Sequence, residues 1–298
     1  MMTIRPSYRI SDADVPLPER GNLVTIGLQT YELQPEQFAK IGQFVHRVCG
    51  INLRPGKEEL VRSRLIKRLS ALELEDFDAY LAYVEGDTSG QELTTMIDVL
   101  TTNKTSFFRE VQHFTFLVQH VLPALQAAGQ PLRFWSAGCS SGEEPYSIAM
   151  TLREEIQDID RRDVRILGTD ISTRVLALAR HAVYEQETLE DVPAPLLRKY
   201  FIPLQHGRSC AYQVHDKVRA MVRLARLNLM QKWPMQGPFD TIFCRNVMIY
   251  FDKATQEWLV KRFWSLLRPG GYLFLGHSES LATGSGMFRY VQPAVYIK

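Results

Sequence analysis

The stretch FWSAGCSSGEEPY, residues 134–146, decides how this sequence is interpreted. It starts as a buried strand, passes through a turn of small residues that includes Gly138 and Gly142, and continues as a helix. Such a turn lets backbone N–H groups approach a bound nucleoside closely, and the following helix N-terminus favours polar or anionic ligand groups. Many parallel-sheet proteins contain a similar turn for packing reasons alone, so the motif needs support from its surroundings.

A second strand supplies that support. Residues 164–170, VRILGTD, form an apolar segment that ends on the carboxylate of Asp170. An acid at the C-terminal tip of a second strand can accept hydrogen bonds from both ribose hydroxyls of a nucleoside held over the first turn. The two segments together indicate a site for an adenosine-type cofactor.

The pattern of apolar residues predicts a tail and a helical N-terminal domain. Residues 1–30 have no helical or alternating period and are expected to be a flexible tail. Helical spacing over residues 31–100 predicts a small all-helical domain, whose first helix begins near Pro35 and stops at Gly50. The other predicted helices of this domain cover about 57–72, 77–83 and 93–100.

The rest of the chain predicts an α/β domain. Residues 101–130 are expected to form a linker segment and a helix over about 113–127. Strand and helix patterns alternate over residues 131–298, which predicts a doubly wound, mostly parallel sheet with flanking helices. Two short apolar segments at about 201–216 flank a polar turn and predict a small β-hairpin insert.

Composition agrees with a globular protein of two domains. The 298 residues are 45% hydrophobic, and the net charge of +2 gives no strong bulk attraction to nucleic acid or to an anionic membrane. The sequence has neither an apolar run near the roughly 20 residues that span a bilayer nor a signal-peptide core, so we expect a cytoplasmic protein without membrane insertion. The four cysteines form no CxxC pair, and we expect neither a disulfide framework nor a metal site.

Several long motifs stand out in the sequence: WSAGCSSGEEPYS at 135–147, LGTDIS at 167–172, FCRNVMIYFD at 243–252, LRPGGYLFLGHSES at 267–280 and TTNKTSFFRE at 101–110. Together they closely resemble the motifs of the CheR-type chemotaxis receptor methyltransferases. These enzymes use S-adenosylmethionine to esterify glutamate side chains of bacterial chemoreceptors. The resemblance runs from about Leu33 to the C-terminus. It implies a Rossmann-like class I methyltransferase fold, S-adenosyl-L-methionine as cofactor with S-adenosyl-L-homocysteine as product, and chemoreceptor cytoplasmic helices as the partner.

The resemblance also implies individual site residues. Asp170 would hold the ribose hydroxyls, Glu144 would bind the methionine end of the cofactor, and Arg109 could meet the methionine carboxylate as a guanidinium fork. Tyr250 could orient the incoming carboxylate, so Tyr250 and Arg109 are the expected catalytic residues. The remaining residues expected to contact the cofactor are Asn103, Thr105, Asn228, Leu229, Arg245 and Asn246.

A basic stripe accompanies the apolar face of the helix predicted at 57–72. The stripe consists of Lys57, Arg64, Lys67 and Arg68. A run of charges is usually only a solvated helix face. In the enzymes that this chain resembles, a basic helix of the N-terminal domain meets the acidic methylation helices of the receptor, where complementary charge would raise the encounter rate. We therefore expect these four residues to bind the partner.

The methyl transfer that the resemblance implies requires no acid–base catalysis from the enzyme. A glutamate side chain with a pKa near about 4.3 is already ionised at neutral pH, so methyl transfer to it needs no general base. The enzyme must align the carboxylate oxygen, the methyl carbon and the sulfur, and must exclude water.

Two alternatives remain open at this point. One is a methyltransferase of the same fold that acts on a small carboxylic acid or on RNA, and the other is a non-catalytic adaptor that senses the cofactor. We expect a monomer that does not bind nucleic acid.

Overall fold

The computed structural model describes residues 31–206, 209–281 and 286–298, without the side chains of residues 205, 206 and 209. The tail predicted at residues 1–30 and the centre of the predicted hairpin turn lie outside this part of the chain. Residues 31–298 belong to one compact unit, and the domain division near residues 100 and 130 stays a prediction.

Four helices form the N-terminal part, as the apolar spacing predicts. They are α1 (Pro35–Cys49), α2 (Glu58–Ala71), α3 (Phe77–Gly86) and α4 (Gln91–Leu100). Pro35 occupies the first turn of α1, and Gly50 ends the helix with a left-handed φ of 73° that a side chain would disfavour. Ile41, Leu65 and Tyr80 are completely buried between these helices, so they form a core of their own.

The helix predicted at 113–127 contains an irregular turn. It consists of α5 (Val111–Phe116), a π-helical turn (Leu117–Val121) and α6 (Leu122–Ala128). Pro123 lies in the first turn of α6 and has no N–H to donate, so the regular hydrogen-bond pattern cannot continue through it.

Alternating strands and helices follow, as predicted. The strands of the central sheet are β1 (Leu132–Ala137), β2 (Val164–Asp170), β6 (Val222–Arg226), β7 (Phe239–Cys244), β8 (Leu267–Leu275), β9 (Arg289–Gln292) and β10 (Val295–Ile297). The helices of this part are α7 (Glu143–Glu155), α8 (Thr173–His181), α9 (Ala194–Tyr200), α10 (Asp216–Arg219) and α11 (Lys253–Leu266).

Within the described ranges, the central sheet has the order β6-β2-β1-β7-β8-β10-β9. The pairs from β6 to β8 are parallel, and β10 runs antiparallel to both of its neighbours. The chain proceeds outward from β1 to β2 and β6 and then crosses to β7, so the strand order reverses between β1 and β7. Open α/β sheets bind ligands at the carboxyl ends of the strands at such a switch point. The doubly wound α/β fold is confirmed.

The predicted hairpin insert is part of a small sheet. Strands β4 (Phe201–His206) and β5 (Ser209–Val214) pair antiparallel, and β3 (Val183–Glu185) pairs with the other edge of β5. The strand β3 was not predicted, because three residues are too few to show an alternating pattern.

Side chains of β1 alternate between the two sides of the sheet. Phe134 packs in one apolar cluster and Trp135 in the other, and both are completely buried. Of the helices in the described ranges, none combines the length and apolar character that a membrane crossing requires.

Candidate active site

A cavity of about 360 Å³ opens at the switch point of the sheet, where β1, β2, β6 and β7 end. Its wall also includes the connection between α1 and α2 and the segment 101–109, so helical and α/β parts both contribute. The expected cofactor-binding and catalytic residues that line this cavity are Asn103, Thr105, Arg109, Glu144, Asp170, Asn228, Leu229, Arg245, Asn246 and Tyr250. The structure therefore brings the whole predicted set together, and the role of each residue stays a prediction.

The turn after β1 leaves room that only glycine provides. Gly138 has φ of 83°, and a Cβ atom there would lie 2.3 Å from Cγ2 of Val247. The N–H groups of Gly138 and Cys139 donate to the carbonyl of Thr169 at 2.7 and 2.9 Å, which fixes the turn to the end of β2. The backbone at Gly138 consequently forms an open part of the cavity wall.

Asp170 lies at the tip of β2 with 8% of its surface exposed. Its carboxylate accepts hydrogen bonds from the N–H groups of Ser140 at 2.9 Å and Ser172 at 3.0 Å. Burial raises the pKa of Asp170, although these two N–H groups favour its charged form. An ionised carboxylate has about four acceptor positions. Asp170 can therefore organise the turn and still accept bonds from ligand hydroxyls.

Arg245 joins two acidic residues at the base of the cavity. Its side chain is 2% exposed and donates to the carboxylates of Glu144 and Glu110, each at 3.1 Å, and to the carbonyl of Arg109. Burial raises the pKa of Glu144, although Arg245 and the Ser136 hydroxyl at 2.7 Å oppose this. Burial also acts on Glu110, but the Arg245 charge and the His277 N–H outweigh it, and the pKa of Glu110 is lowered. Two carboxylates around one guanidinium leave a net negative charge when both are ionised.

The segment 101–109 is held in place by its neighbours. The Arg109 guanidinium donates to the carbonyl of Lys104 at 3.0 Å. The Ser140 hydroxyl donates to the carbonyl of Asn103 at 2.8 Å, and the Asn103 amide donates to the Thr101 hydroxyl at 3.1 Å. The glycine-bearing turn and this segment are thus connected directly beside the cavity.

Asn228 and Leu229 follow β6 and form another side of the cavity. The Asn228 amide donates to the carbonyl of Val48 at 2.8 Å, and its oxygen accepts the N–H of Met230 at 3.0 Å. Leu229 is 8% exposed. Since Val48 lies in α1, Asn228 ties this side of the cavity to the N-terminal helices.

Asn246 and Tyr250 lie in the loop after β7. Asn246 has a left-handed φ of 58°, and its amide lies 3.4 Å from the Glu110 carboxylate. The Tyr250 hydroxyl donates to the carbonyl of Thr102 at 3.1 Å, and burial raises the pKa of this phenol. Tyr250 is therefore a neutral hydrogen-bonding group at physiological pH.

The predicted basic stripe does not form one free surface. Arg64 donates to the carbonyls of Leu100 at 2.6 Å and Thr101 at 3.2 Å, and to the Thr102 hydroxyl at 3.0 Å. Arg68 forms a bidentate pair with Glu92 at 2.9 and 2.6 Å. Both guanidinium groups are thus engaged within the protein.

Lys57 and Lys67 of the same stripe are exposed. Lys57 lines the cavity, together with the exposed residues Arg54 and Lys104. The cations available to a partner therefore gather near the cavity mouth more than along α2.

Four polar residues that support the site were not predicted. Glu110, Ser136, Ser140 and Glu279 all lie inside the quoted motifs, and each bonds another site residue or its backbone. Their position beside predicted residues within a motif is the signal that could have indicated them.

Glu110, His113 and His277 place three possible metal-ligand atoms within 4.8 Å of one another. His113 is completely buried, and neither ring nitrogen has a hydrogen-bond partner among the described residues. Burial lowers the pKa of His113 to about 3. The Glu110 oxygen nearest to His113 already pairs with Arg245, a cation that disfavours a metal ion at this position. That the protein binds no metal stays an expectation.

The fold and the cavity agree with a class I methyltransferase: a mostly parallel sheet, a glycine-bearing turn after β1 and an acid at the tip of β2. The cavity residues fit the cofactor of that class. Asp170 suits ribose hydroxyls, the buried carboxylate of Glu144 suits an ammonium group, and Arg109 suits a carboxylate.

The chain belongs to the CheR methyltransferase family. The family model of the CheR methyltransferase SAM binding domain matches residues 103–297, and that of the CheR methyltransferase all-alpha domain matches residues 36–101. S-Adenosylmethionine is therefore the cofactor, and the protein is a methyltransferase.

The chain is similar in sequence to curated chemotaxis protein methyltransferases over most of its own length and of theirs. The chain is 42% identical over 271 residues to chemotaxis protein methyltransferase 2 of Pseudomonas aeruginosa, covering 91% of this chain and 95% of the relative. It is 40% identical over 270 residues to the chemotaxis protein methyltransferase of Borreliella burgdorferi, covering 88% and 94%. The Escherichia coli chemotaxis protein methyltransferase is 41% identical over 251 residues, covering 84% and 86%.

Proposed function

We propose that this protein transfers a methyl group from S-adenosylmethionine to glutamate side-chain carboxylates of bacterial chemoreceptors. The products are glutamate methyl esters and S-adenosylhomocysteine. The observation that carries the proposal is the similarity to chemotaxis protein methyltransferases over more than four fifths of the chain. Esterification removes a negative charge from a receptor helix bundle and can thereby retune its signalling equilibrium.

The proposed reaction needs an electrophile and an ionised acceptor. When bound, S-adenosylmethionine would supply a methyl group activated by a sulfonium. The glutamate carboxylate oxygen would attack the methyl carbon as the carbon–sulfur bond breaks, and the electron pair of that bond would stay on sulfur. Because the acceptor is ionised before it binds, no side chain of this protein has to remove a proton.

The residues around the cavity then act by alignment. Asp170, Glu144 and Arg109 would hold the ribose, the ammonium and the carboxylate of the cofactor. Tyr250 has a neutral hydroxyl that donates to the Thr102 carbonyl at 3.1 Å, and it would orient the incoming glutamate by turning this O–H to the glutamate carboxylate. Alignment and exclusion of water are the contributions that such a reaction requires.

Charge at the cavity mouth supports an acidic substrate. Arg54, Lys57 and Lys104 are exposed and line the cavity, and Lys67 is exposed on α2. Cations in this position would draw an acidic receptor helix toward the site and raise the encounter rate. We assign partner binding mainly to Lys57 and Lys67, while Arg64 and Arg68 would support the surface from within.

The partner also sets where the enzyme works. Because the proposed substrate is the cytoplasmic part of a chemoreceptor, we propose that the enzyme acts in the cytoplasm, as a monomer. The helices of residues 31–100 would contact the receptor, and residues 131–298 would hold the cofactor together with Asn103, Thr105 and Arg109 of the connecting segment 101–130.

Methylation assays with labelled cofactor test the proposal. The protein is incubated with S-adenosylmethionine carrying a radiolabelled methyl group and, separately, with a receptor cytoplasmic fragment, RNA or small carboxylic acids. We expect label in the receptor fragment that mild base releases as methanol. Base-stable label, or label only in RNA or a small acid, would favour the same-fold alternative. Cofactor binding without turnover on any acceptor would favour the adaptor.

A further inference from the structure

Glu279 is a buried acid beside the cavity for which the proposed reaction has no use. It is 7% exposed and closes a tight turn, in which its N–H donates to the carbonyl of Gly276 at 2.8 Å. Its carboxylate in turn accepts the N–H of Gly276 at 2.6 Å. The turn is crowded, since a Cβ atom on Gly276 would lie 2.9 Å from the Glu279 carboxylate and 2.5 Å from the Asn246 amide nitrogen.

The same carboxylate reaches the loop after β7. One oxygen accepts the N–H of Asn246 at 2.9 Å, and the other accepts the N–H of Ile249 at 3.1 Å. These two N–H groups lie on either side of Val247 and Met248, so the carboxylate fixes the backbone at both ends of a short bend. Asn246, Val247, Ile249 and Tyr250 all line the cavity.

The partners of the Glu279 carboxylate are backbone N–H groups. Among the ion pairs of the described residues, none involves Glu279, whereas Glu110 and Glu144 both pair with Arg245. Burial raises the pKa of Glu279, and the N–H groups of Gly276, Asn246 and Ile249 favour its ionised form. An acceptor with two oxygens is needed, because an amide in its place would turn an NH₂ group toward one of these donors.

The loop of residues 246–250 uses the Glu279 carboxylate as a hydrogen-bond acceptor. Asn246 adopts a left-handed φ of 58°, a conformation that asparagine tolerates better than most residues with a side chain. Residues Met248–Tyr250 form a single 3-10 turn, and the N–H groups at the start of such a turn have no partner within it. The Glu279 carboxylate supplies the partner for Ile249, and Tyr250 is the next residue.

We propose that Glu279 is a positioning residue for methyl transfer: it holds the 246–250 loop so that the Tyr250 hydroxyl, which donates to the Thr102 carbonyl before the acceptor binds, can turn its O–H to the acceptor carboxylate. This inference rests on the proposed function, because it assigns the acceptor end of the cavity to Tyr250. It differs from a merely structural role in one testable respect, since it makes the effect of Glu279 on the rate depend on the Tyr250 hydroxyl.

A double-mutant cycle separates the two roles. Single-turnover rates with saturating cofactor and receptor fragment are measured for the wild type, Glu279→Gln, Tyr250→Phe and the double variant. A misplacement of about 1 Å can cost about 100-fold in rate, so we expect Glu279→Gln to slow transfer at least about tenfold. In the Tyr250→Phe background the same substitution should cost less than about threefold, because coupled residues are not additive. Equal factors in both backgrounds would overturn the inference, as would a Tyr250→Phe rate equal to that of the wild type.

One control variant tests for a general effect of charge, and a further variant replaces Glu279→Gln if that protein does not fold. Glu257→Gln removes the same charge from an exposed position of α11 and should leave the rate unchanged. If Glu279→Gln does not fold, as judged by its thermal transition, Glu279→Asp is used in the same cycle, since it keeps the charge but cannot reach both N–H groups.

Amide hydrogen exchange gives a readout that needs no receptor. Glu279→Gln or Glu279→Asp should speed exchange at Asn246 and Ile249, and Glu257→Gln should not. A wild type that leaves every receptor fragment unmethylated would contradict the proposed function. Unchanged exchange at residues 246–250 would contradict the role of Glu279, whatever the acceptor.

Discussion

The hydroxyl of Tyr250 donates a hydrogen bond of 3.1 Å to the carbonyl oxygen of Thr102. This bond connects the loop after β7 with the segment that carries Asn103, Thr105 and Arg109. The carbonyl of Tyr250 also accepts the N–H of Asn52 at 2.8 Å, so the connection between α1 and α2 meets the same residue. Three separate parts of the chain therefore converge on the residue that we assign to the acceptor.

Replacing Tyr250 with phenylalanine tests that assignment. The variant keeps the ring and loses the hydroxyl, so it should cost only about 1 kcal/mol of stability, the typical contribution of one hydrogen bond. We expect the single-turnover rate to fall about 10- to 100-fold, because alignment of the acceptor is lost. Affinity for S-adenosylhomocysteine, measured by calorimetry, should change little. Tyr290→Phe, at a position with 58% exposure, is the matched control. A Tyr250→Phe rate within a factor of about two of the wild type would remove Tyr250 from the mechanism.

Asp170 should be essential for cofactor affinity. Asp170→Ala would remove two charge-assisted hydrogen bonds to the ribose, each worth about 1.5 to 3 kcal/mol. We therefore expect cofactor affinity to fall by more than about tenfold. Because Asp170 also accepts the N–H groups of Ser140 and Ser172, the alanine variant should be destabilised as well. Asp170→Asn keeps the shape of the side chain, so its comparison with Asp170→Ala separates the loss of cofactor affinity from the loss of stability. Asp191→Asn, on the surface, is its control. Unchanged calorimetric affinity in a folded Asp170→Ala variant would exclude Asp170 from the cofactor site.

The exposed lysines should govern encounter with the receptor. Lys57→Glu combined with Lys67→Glu is expected to slow methylation at low receptor concentration and to leave S-adenosylhomocysteine affinity unchanged. The wild-type rate should also fall with salt, since exposed charges are screened over about 8 Å at physiological ionic strength. Lys217→Glu with Lys261→Glu makes the same charge change at other exposed positions. If both pairs slow methylation equally, only net charge matters and α2 is no docking surface.

Sequence patterns predicted the helices, the strands and the location of the cavity, because short-range regularities in the sequence encode these features. The period of apolar residues gave the four N-terminal helices and the alternating strands, and the strand–turn–helix at Gly138 with the acid at Asp170 located the cavity. The same patterns could not show long-range partners. Helical spacing placed Arg64 and Arg68 on one stripe, but only the fold shows that Leu100 and Glu92 engage them.

Residues that support the site, such as Glu279, could not be predicted for a related reason. Glu279 lies 33 residues from Asn246, and nothing local in either segment shows that their backbones meet. Short elements carry equally little signal: β3 has three residues, and the π-helical turn before Pro123 interrupts a continuous helical pattern.

Stability should fall as the pH is lowered, in a way that traces to His113. Its pKa lies at about 3 in the folded protein against the usual 6.5, chiefly because of burial and then because of the Arg245 charge. Between these values the unfolded chain binds a proton that the folded protein does not, so stability rises with pH across this window and is lost as pH falls through it. We expect His113→Gln to flatten the pH dependence of the unfolding free energy between about pH 4 and 6 relative to the wild type. Parallel curves for the two proteins, measured by denaturant titration, would show that His113 is not the group responsible.

The pH dependence of methyl transfer tests the central claim, alignment of an already ionised glutamate without a general base. Single-turnover rates are measured at saturating cofactor and receptor fragment from about pH 6 to 8.5, a window above the ordinary glutamate pKa of about 4.3. Tyr250, with its pKa raised by burial, stays protonated, and His113, with a pKa of about 3, stays neutral throughout. The account predicts a rate that changes by less than about twofold across the window. A rise of about one decade per pH unit would mean that a proton is removed in the limiting step, and would contradict it.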